Sequence, residues 1–416
     1  MKNLIILTVF LLFIFSSCEK IEPLIADKSE IPINFYYEQI YVQPIIVDNQ
    51  IVAVINDNVS TFLISYDAEG NKNWEKNIDS YVIDNQEYKN IYKLNLTLNR
   101  NSEIILNMIA GDYMQTVKLV KFDKQGNFIN QFTDNIHHPD TIFFNDNLGN
   151  ADTLTNDSIP VFYARKILSL SDGKTLVLAH EKSPLIDSTV FQFSFYDTNG
   201  NFIEDKYSFI EEADNQYDIN HIYLTSDDKL ALLFDLPNNV KAFALMDLNG
   251  NLLYIPVLVP SAFNIFSFYE NTDGNFIYTG QTFGGNSVLT GLIFCINRDG
   301  DILWQENYQQ NIASIFLSVY ELSDGYLFTG FNSTSLETNL DWRNSFINEK
   351  DAKAILLKTD FEGKMVWENM IQTQQESTFG AVSIFSDKIT FFGQKISNNI
   401  VNTMFFNLDS QGNITN

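Results

Sequence analysis

Two adjacent histidines, His137 and His138, lie among Asp134, Asp140, Asp146 and Asp152. Imidazole with carboxylates suits a transition metal, and carboxylates alone suit calcium. The spacing matches no defined site, and neighbouring side chains on an extended chain point apart. No metal is therefore expected there. His180 and His221 stand far apart in apolar surroundings and read as satisfied core or rim residues. The turn Asn297-Arg298-Asp299-Gly300-Asp301 imitates the start of an EF-hand loop. It lacks the later bidentate Glu, so it reads as a turn. The sequence has no Gly-rich phosphate loop, nucleophile elbow or HExxH. Cys295, inside an apolar run, reads as a small buried residue and not as a nucleophile. No catalytic residue, metal or cofactor is assigned.

Composition narrows the partners. Among 416 residues, 52 Asp and Glu face 26 Lys and Arg, a formal net charge of -26. Phosphate binding needs clustered bases, so nucleic acid is excluded as a partner. The 2 cysteines cannot build a disulfide scaffold. A hydrophobic content of 45% supports a real core.

The first 20 residues read MKNLIILTVFLLFIFSSCEK: a basic start at Lys2, an apolar run, then Ser16, Ser17 and Cys18. That is the pattern of a secretory signal peptide. Its apolar run falls short of the roughly 20 residues that span a bilayer. Phe15-Ser16-Ser17-Cys18 resembles a bacterial lipobox. The resemblance implies cleavage before Cys18 and acylation of that residue, with two or three acyl chains giving stable anchoring. The polar, Pro-containing stretch that follows suits a short tether.

Four short segments fit Asp, then Ser or Thr, then an apolar residue or Thr. They are Asp140-Thr141-Ile142, Asp152-Thr153-Leu154, Asp157-Ser158-Ile159 and Asp187-Ser188-Thr189. The pattern is similar to the O-glycosylation signal of exported proteins in Bacteroidota, which would place glycans on Thr141, Thr153, Ser158 and Ser188.

The elements that position all these residues repeat. An apolar run, then Asp-x-x-Gly, then a second apolar run occurs six times, and a seventh copy has Asn in place of the Asp. The turn residues are Asp67/Gly70, Asp123/Gly126, Asp197/Gly200, Asp247/Gly250, Asn297/Gly300, Asp360/Gly363 and Asp409/Gly412. The Asp accepts hydrogen bonds from turn amides, and the Gly takes the positive-φ position of a hairpin turn. A second hairpin alternates with it, as in LSDGKTLVLAH (Leu170–His180), NTDGNFIYTGQT (Asn271–Thr282) and LSDGYLFTGFN (Leu322–Asn332). Two hairpins per period make four strands. Four-stranded sheets repeated around an axis make a β-propeller. The expected fold is all-β: a seven-bladed β-propeller of four-stranded antiparallel blades over 41–416. A signal peptide (1–17) and a lipidated tether with an edge strand (18–40) precede it.

The DG…G hairpin, paired with KxDxxGxxxW, looks like the repeats of secreted propellers of Bacteroidota-type bacteria. The Gly and Trp four apart, at Gly70/Trp74, Gly300/Trp304 and Gly363/Trp367, are similar to the tryptophan-docking repeat of quinoprotein dehydrogenases and of the lipoprotein BamB. The resemblance implies that Trp74, Trp304 and Trp367 pack between blades. Two insertions, Asp134–Pro160 and Ser333–Asp351 with Trp342 and Arg343, sit where binding concentrates on a rigid scaffold.

The expected function is a monomeric, lipid-anchored, non-catalytic binding or scaffolding propeller of the cell envelope, with a protein or glycan partner. The alternative is a propeller hydrolase, lyase or quinone-dependent dehydrogenase with its site in the central channel.

Overall fold

The Asp-x-x-Gly segments do turn as hairpins. In the copy at Asp197, Oδ1 accepts the amide N–H groups of Asn199 and Asn201, each at 2.8 Å, and Oδ2 accepts the Asn201 side-chain amide at 2.8 Å. Gly200, at φ 87°, donates its N–H to the Asp197 carbonyl. The copy that departs from the pattern compensates by exchange. Asn297 replaces the Asp, Asp301 replaces the Asn, and the side-chain amide of Asn297 donates to the Asp301 carboxylate at 3.1 Å. The EF-hand-like segment is thus a hairpin turn with its two partners swapped.

The computed structural model describes residues 24–25, 36–37, 40–41 and, from 45 to 415, all but short segments, the longest being 83–90 and 334–352. Strands joined by these turns form antiparallel meanders arranged as a propeller. The expectation of seven four-stranded antiparallel blades is corrected. Six sheets have that form, spanning 45–77, 91–135, 164–211, 218–259, 264–308 and 376–415. The sheet built from residues 313–372 is five-stranded and mixed, because Leu24–Ile25 pairs parallel to Ile371–Gln372 on its outer edge. The outermost strand Met365–Gln372 offers an open row of backbone groups, and the N-terminal strand covers it. A two-residue parallel strand has no turn signal or periodicity, which is why it could not be read from sequence. Most of the tether and edge-strand segment expected over 18–40 lies outside the described residues; within it Tyr36–Tyr37 pairs with Ile40–Tyr41.

Within each blade the fourth strand is the outer one. Lys72–Asn77 and Ile302–Tyr308 are mostly exposed, whereas the second and third strands are buried along most of their described length. The core therefore lies between blades. One cluster joins Leu176, Phe191 and Phe193 to Leu232 and Phe234 of the next sheet. Another joins Phe243 and Leu245 to Phe276, Tyr278 and Phe294, with Tyr278 and Phe294 stacked at 4.8 Å.

The turn glycines also meet the preceding blade. A Cβ on Gly126 would fall 2.6 Å from the Trp74 ring, one on Gly363 2.6 Å from Trp304, and one on Gly412 3.0 Å from Trp367. Where Trp is absent, Phe132 stands against Gly200 and Ser208 against Gly250. Since Trp304 is half-buried, Trp304→Ala is expected to cost about 2 kcal/mol, below the range for a fully buried aromatic. A denaturation midpoint indistinguishable from wild type would exclude docking as a source of stability.

Candidate functional site

A four-stranded meander places its first and third turns at one end and its remaining connections at the other. Both recurring hairpin turns therefore line one face of the propeller. The other face carries the variable connections, including the insertion after the strand Phe128–Asn135. Part of that insertion is an antiparallel ribbon, Thr141–Asn145 with Ala151–Thr155. It is anchored by Ile142, which is buried with Phe162, Ala164 and Val190.

The innermost strands share a feature near this loop-side end. Six of them carry a one-residue register shift at the same place: Ile91/Lys93, Ala164/Lys166, Ile219/His221, Ile265/Ser267, Phe316/Ser318 and Phe379/Ala381. Bulges re-aim side chains and concentrate beside functional sites. The residue paired across from the shift is Ala110, Ala179, Phe234, Gly280, Gly330 and Gly393 in turn, small in all but one. The recurring glycine of the DG…G hairpin thus sits beneath the bulge. At Gly330 a Cβ would fall 1.8 Å from the Ile315 carbonyl oxygen.

The first residue after the shift is polar in five of the six strands: Lys93, Lys166, His221, Ser267 and Ser318. Lys166, His221, Ser267 and Ser318 are half-buried. Lys166 keeps solvent contact, yet desolvation alone pushes its pKa down. No hydrogen bond or ion pair reaches its ammonium among the described residues. His221 donates from Nε2 to the Ile265 carbonyl, 2.8 Å away at the bulge of the next blade, and meets the Phe268 ring edge-on. This bond fixes the imidazole orientation between two inner strands. Two buried polar atoms near the same end, Gln281 Oε1 and Ser314 Oγ, have no hydrogen-bond partner. Buried orphans of this kind mark places for water or a ligand.

The turn face is held differently. The Ser171 amide and hydroxyl donate to Asp228, those of Ser226 to Glu270, and those of Thr272 to Glu321. In each case the acid comes from the following blade. Arg298 binds Glu270 and Asp227 and donates from Nε to the Gly274 carbonyl at 3.2 Å. Partial burial opposes ionisation of Asp227, but hydrogen bonds from Arg298, Lys229 and Thr225 outweigh it and hold its carboxyl far below the usual range. This network ties blades together.

Several residues singled out in the sequence are not brought together. His180 is buried beside Phe191, away from His221 in chain and blade. Cys295 is buried, and burial, with the charge of Asp273, pushes its thiol up to about 12, which makes it inert as a nucleophile. Thr153 is exposed on the insertion ribbon, Thr141 pairs with Thr155 there, and Ser188 begins the strand paired with Glu211. Cys18, His137, His138, Asp140, Asp146, Ser158, Trp342 and Arg343 lie outside the described residues. Among the described residues no three His, Cys, Asp or Glu side chains converge as a metal site. No helix among them is long and apolar enough to cross a membrane.

The bulge ring escaped the sequence reading. Its trace was there: a polar residue after the shift in five of the six bulged strands, and a small residue opposite it in five of six.

No family model matches the chain, and no curated protein matches it. Solved structures share its general form. A protein of unknown function from Bacteroides caccae is 13% identical with a TM-score of 0.39, covering 78% of this chain and 94% of its own. The polysaccharide lyase Uly1 is 9% identical with a TM-score of 0.46, covering 88% and 89%. A protein of unknown function from Dyadobacter fermentans is 8% identical with a TM-score of 0.42, covering 75% and 93%. Similarity at this level carries no function across to this chain.

Proposed function

We propose that this chain is a cell-envelope lipoprotein, acylated at Cys18, whose propeller is a non-catalytic binding module for a protein or glycan. The observation that carries the binding role is the set of polar residues at the bulged inner strands, near the loop-bearing end of the blades. Binding sites on repeat scaffolds favour such faces, because loops vary while the sheets hold them still. The anchor rests on the lipobox-like Phe15-Ser16-Ser17-Cys18 and the apolar run before it. Propeller and tether act as a monomer at the membrane surface in this reading.

The test separates anchor from module. In cells fed an alkynyl fatty acid, the wild-type chain is expected to label and to sediment with membranes. Cys18→Ala is expected to lose both. Unchanged labelling and sedimentation of the variant would refute the anchor. Crosslinking on intact cells then identifies the neighbour; a chain that crosslinks to no envelope protein or glycan argues against the module.

A second reading, an enzyme with its site in the propeller's central channel, is favoured by the desolvation that lowers the basicity of Lys166. Turnover that Lys166→Met abolishes would select it.

A further inference from the structure

We infer that the outer rim of the sheet built from residues 313–372 rests on a lipid bilayer. The contact is an apolar patch of Phe361, Met365 and Val366, extended by Ile302 and Leu303 of the preceding blade. The inference deepens the lipoprotein reading above and rests on it.

The patch is the most exposed part of a repeated feature. In five consecutive sheets, the second and third residues after the Asp-x-x-Gly or Asn-x-x-Gly turn are apolar and exposed. Phe128-Ile129, Phe202-Ile203 and Leu252-Leu253 are 36% to 45% exposed. Exposure rises through Ile302-Leu303 and reaches 56% and 59% at Met365 and Val366. Phe361, in the turn before Met365, is exposed as well, with its ring edge-on to Tyr326. The last two pairs are joined across the blade boundary. Trp304, which follows Leu303, lies against Gly363, and the Tyr308 hydroxyl donates to the Gly363 carbonyl at 2.6 Å. A contiguous apolar patch on the surface of a folded protein marks a contact.

The tether decides what that contact is. Leu24 and Ile25 pair in parallel with Ile371 and Gln372, on the outer edge of the strand that begins at Met365. Six residue steps separate Cys18 from Leu24. At about 3.3 Å per extended residue they span about 20 Å at most. Acyl chains on Cys18 lie in the bilayer, so the outer edge of this sheet is held within that distance of lipid. Six steps also separate Met365 from Ile371. Because the pairing is parallel, the chain at Leu24 heads, toward its N-terminus, to the Met365 end of the strand. The most exposed apolar pair therefore stands on the sheet, and at the end of it, that the anchor brings closest to the membrane.

Charge selects the lipid. In sequence, Asp301, Asp360 and Glu362 border the patch against one neighbouring base, Lys364, and the whole chain carries -26. An anionic leaflet repels such a surface. The contact is thus one of apolar side chains among zwitterionic headgroups. It also sets a tilt. The patch follows the turns, so the turn face leans toward the bilayer and the loop-bearing face points away from it, open to a partner.

The test uses the acylated chain purified from membranes. Its Cys18 is blocked by acylation and Cys295 is buried, so the thiol introduced by Val366→Cys alone takes a polarity-sensitive dye. Ile203→Cys, at the same turn position three sheets earlier, is the control. In phosphatidylcholine vesicles, a blue shift of the dye and its quenching by spin-labelled lipid are expected at 366 and not at 203. Leu303→Ser with Met365→Ser is expected to abolish the shift at 366. Sedimentation with vesicles persists through the acyl chains, and the thermal midpoint stays put because both side chains are more than half exposed. Equal signals at 366 and 203 would overturn the inference. So would a shift that survives the double variant, or one that appears only when anionic lipid is added. A dye at 366 that stays in water while crosslinks join the patch to an envelope protein would overturn it too, and would make the patch a protein interface. A chain without an acyl group fails the labelling test above and takes this inference with it. An acylated chain with no signal at 366 keeps its anchor and loses this contact.

Discussion

Arg298→Ala is expected to destabilise the fold by about 3 kcal/mol, the low end of what breaking a buried ion pair costs. The reason lies in its partner. The Glu270 side chain is only 4% exposed, and Arg298 is the one cation among the described residues paired with it. Truncation leaves that carboxylate enclosed, with only the Ser226 amide and hydroxyl donating to it. The loss is therefore mostly the burial of an unpaired charge and not the worth of a surface salt bridge, which is typically below about 1 kcal/mol. Glu270→Gln placed in the Arg298→Ala background is expected to recover more than half of the loss, because an amide needs no counter-ion. A single-variant shift within the surface range, read from denaturation midpoints, would show that the network is peripheral. The acid response has a definite sign. Asp227 has its carboxyl held low in the fold, so its share of stability is present above the unfolded carboxylate pKa of about 3.9 and is lost as pH falls toward the folded value. Removing Arg298 takes away a principal donor. The variant is expected to lose less stability than wild type on going to low pH.

This network changes the meaning of the acidic composition. Asp228, Glu270 and Glu321 each receive backbone and hydroxyl groups of the preceding blade. Asp123, Asp197, Asp247 and Asp409 each close their own turn through Oδ1 and Oδ2. Carboxylates are used here as acceptors for turn amides, so the charge of -26 reports how blades are built and joined as much as what they meet. The turns were legible because their chemistry is local: Asp, Gly and Asn act within five residues. The four-stranded unit followed from counting turns. Features made between distant segments were not legible. Ser226 and Glu270 are 44 residues apart, and nothing in either neighbourhood announces the pairing. The parallel strand at Leu24–Ile25 and the ribbon beginning at Thr141 depend on what they cover. The candidate site belongs to this second class: Lys166 and His221 share a register only because two strands bulge at the same height.

Gly330→Ala puts that height to the test. Its added Cβ would meet the Ile315 carbonyl oxygen at 1.8 Å, the Ile315 carbonyl carbon at 2.8 Å and the Phe316 Cα at 2.9 Å. All three atoms are backbone, so no side chain can rotate away. Either the pairing between strands Ala313–Leu322 and Gly325–Ser333 opens, or the bulge after Phe316 shifts. Overpacking of this kind costs about 1–3 kcal/mol. The rigid obstacle and the buried positions of Ile315 and Phe316 place Gly330→Ala near the top of that range. The loss should not be confined to stability. Ser318 follows the bulge, so amide exchange is expected to accelerate over residues 315–319 while the turn at Asp360–Gly363 stays protected. A change in midpoint with unaltered exchange at 315–319 would mean that the clash is absorbed elsewhere and that the glycine does not hold the bulge. The opposite result ties the recurring second glycine of the hairpin motif to the placement of the residue that follows the bulge, here Ser318. A residue that looks like turn punctuation in the sequence would then be one of those that shape the candidate site.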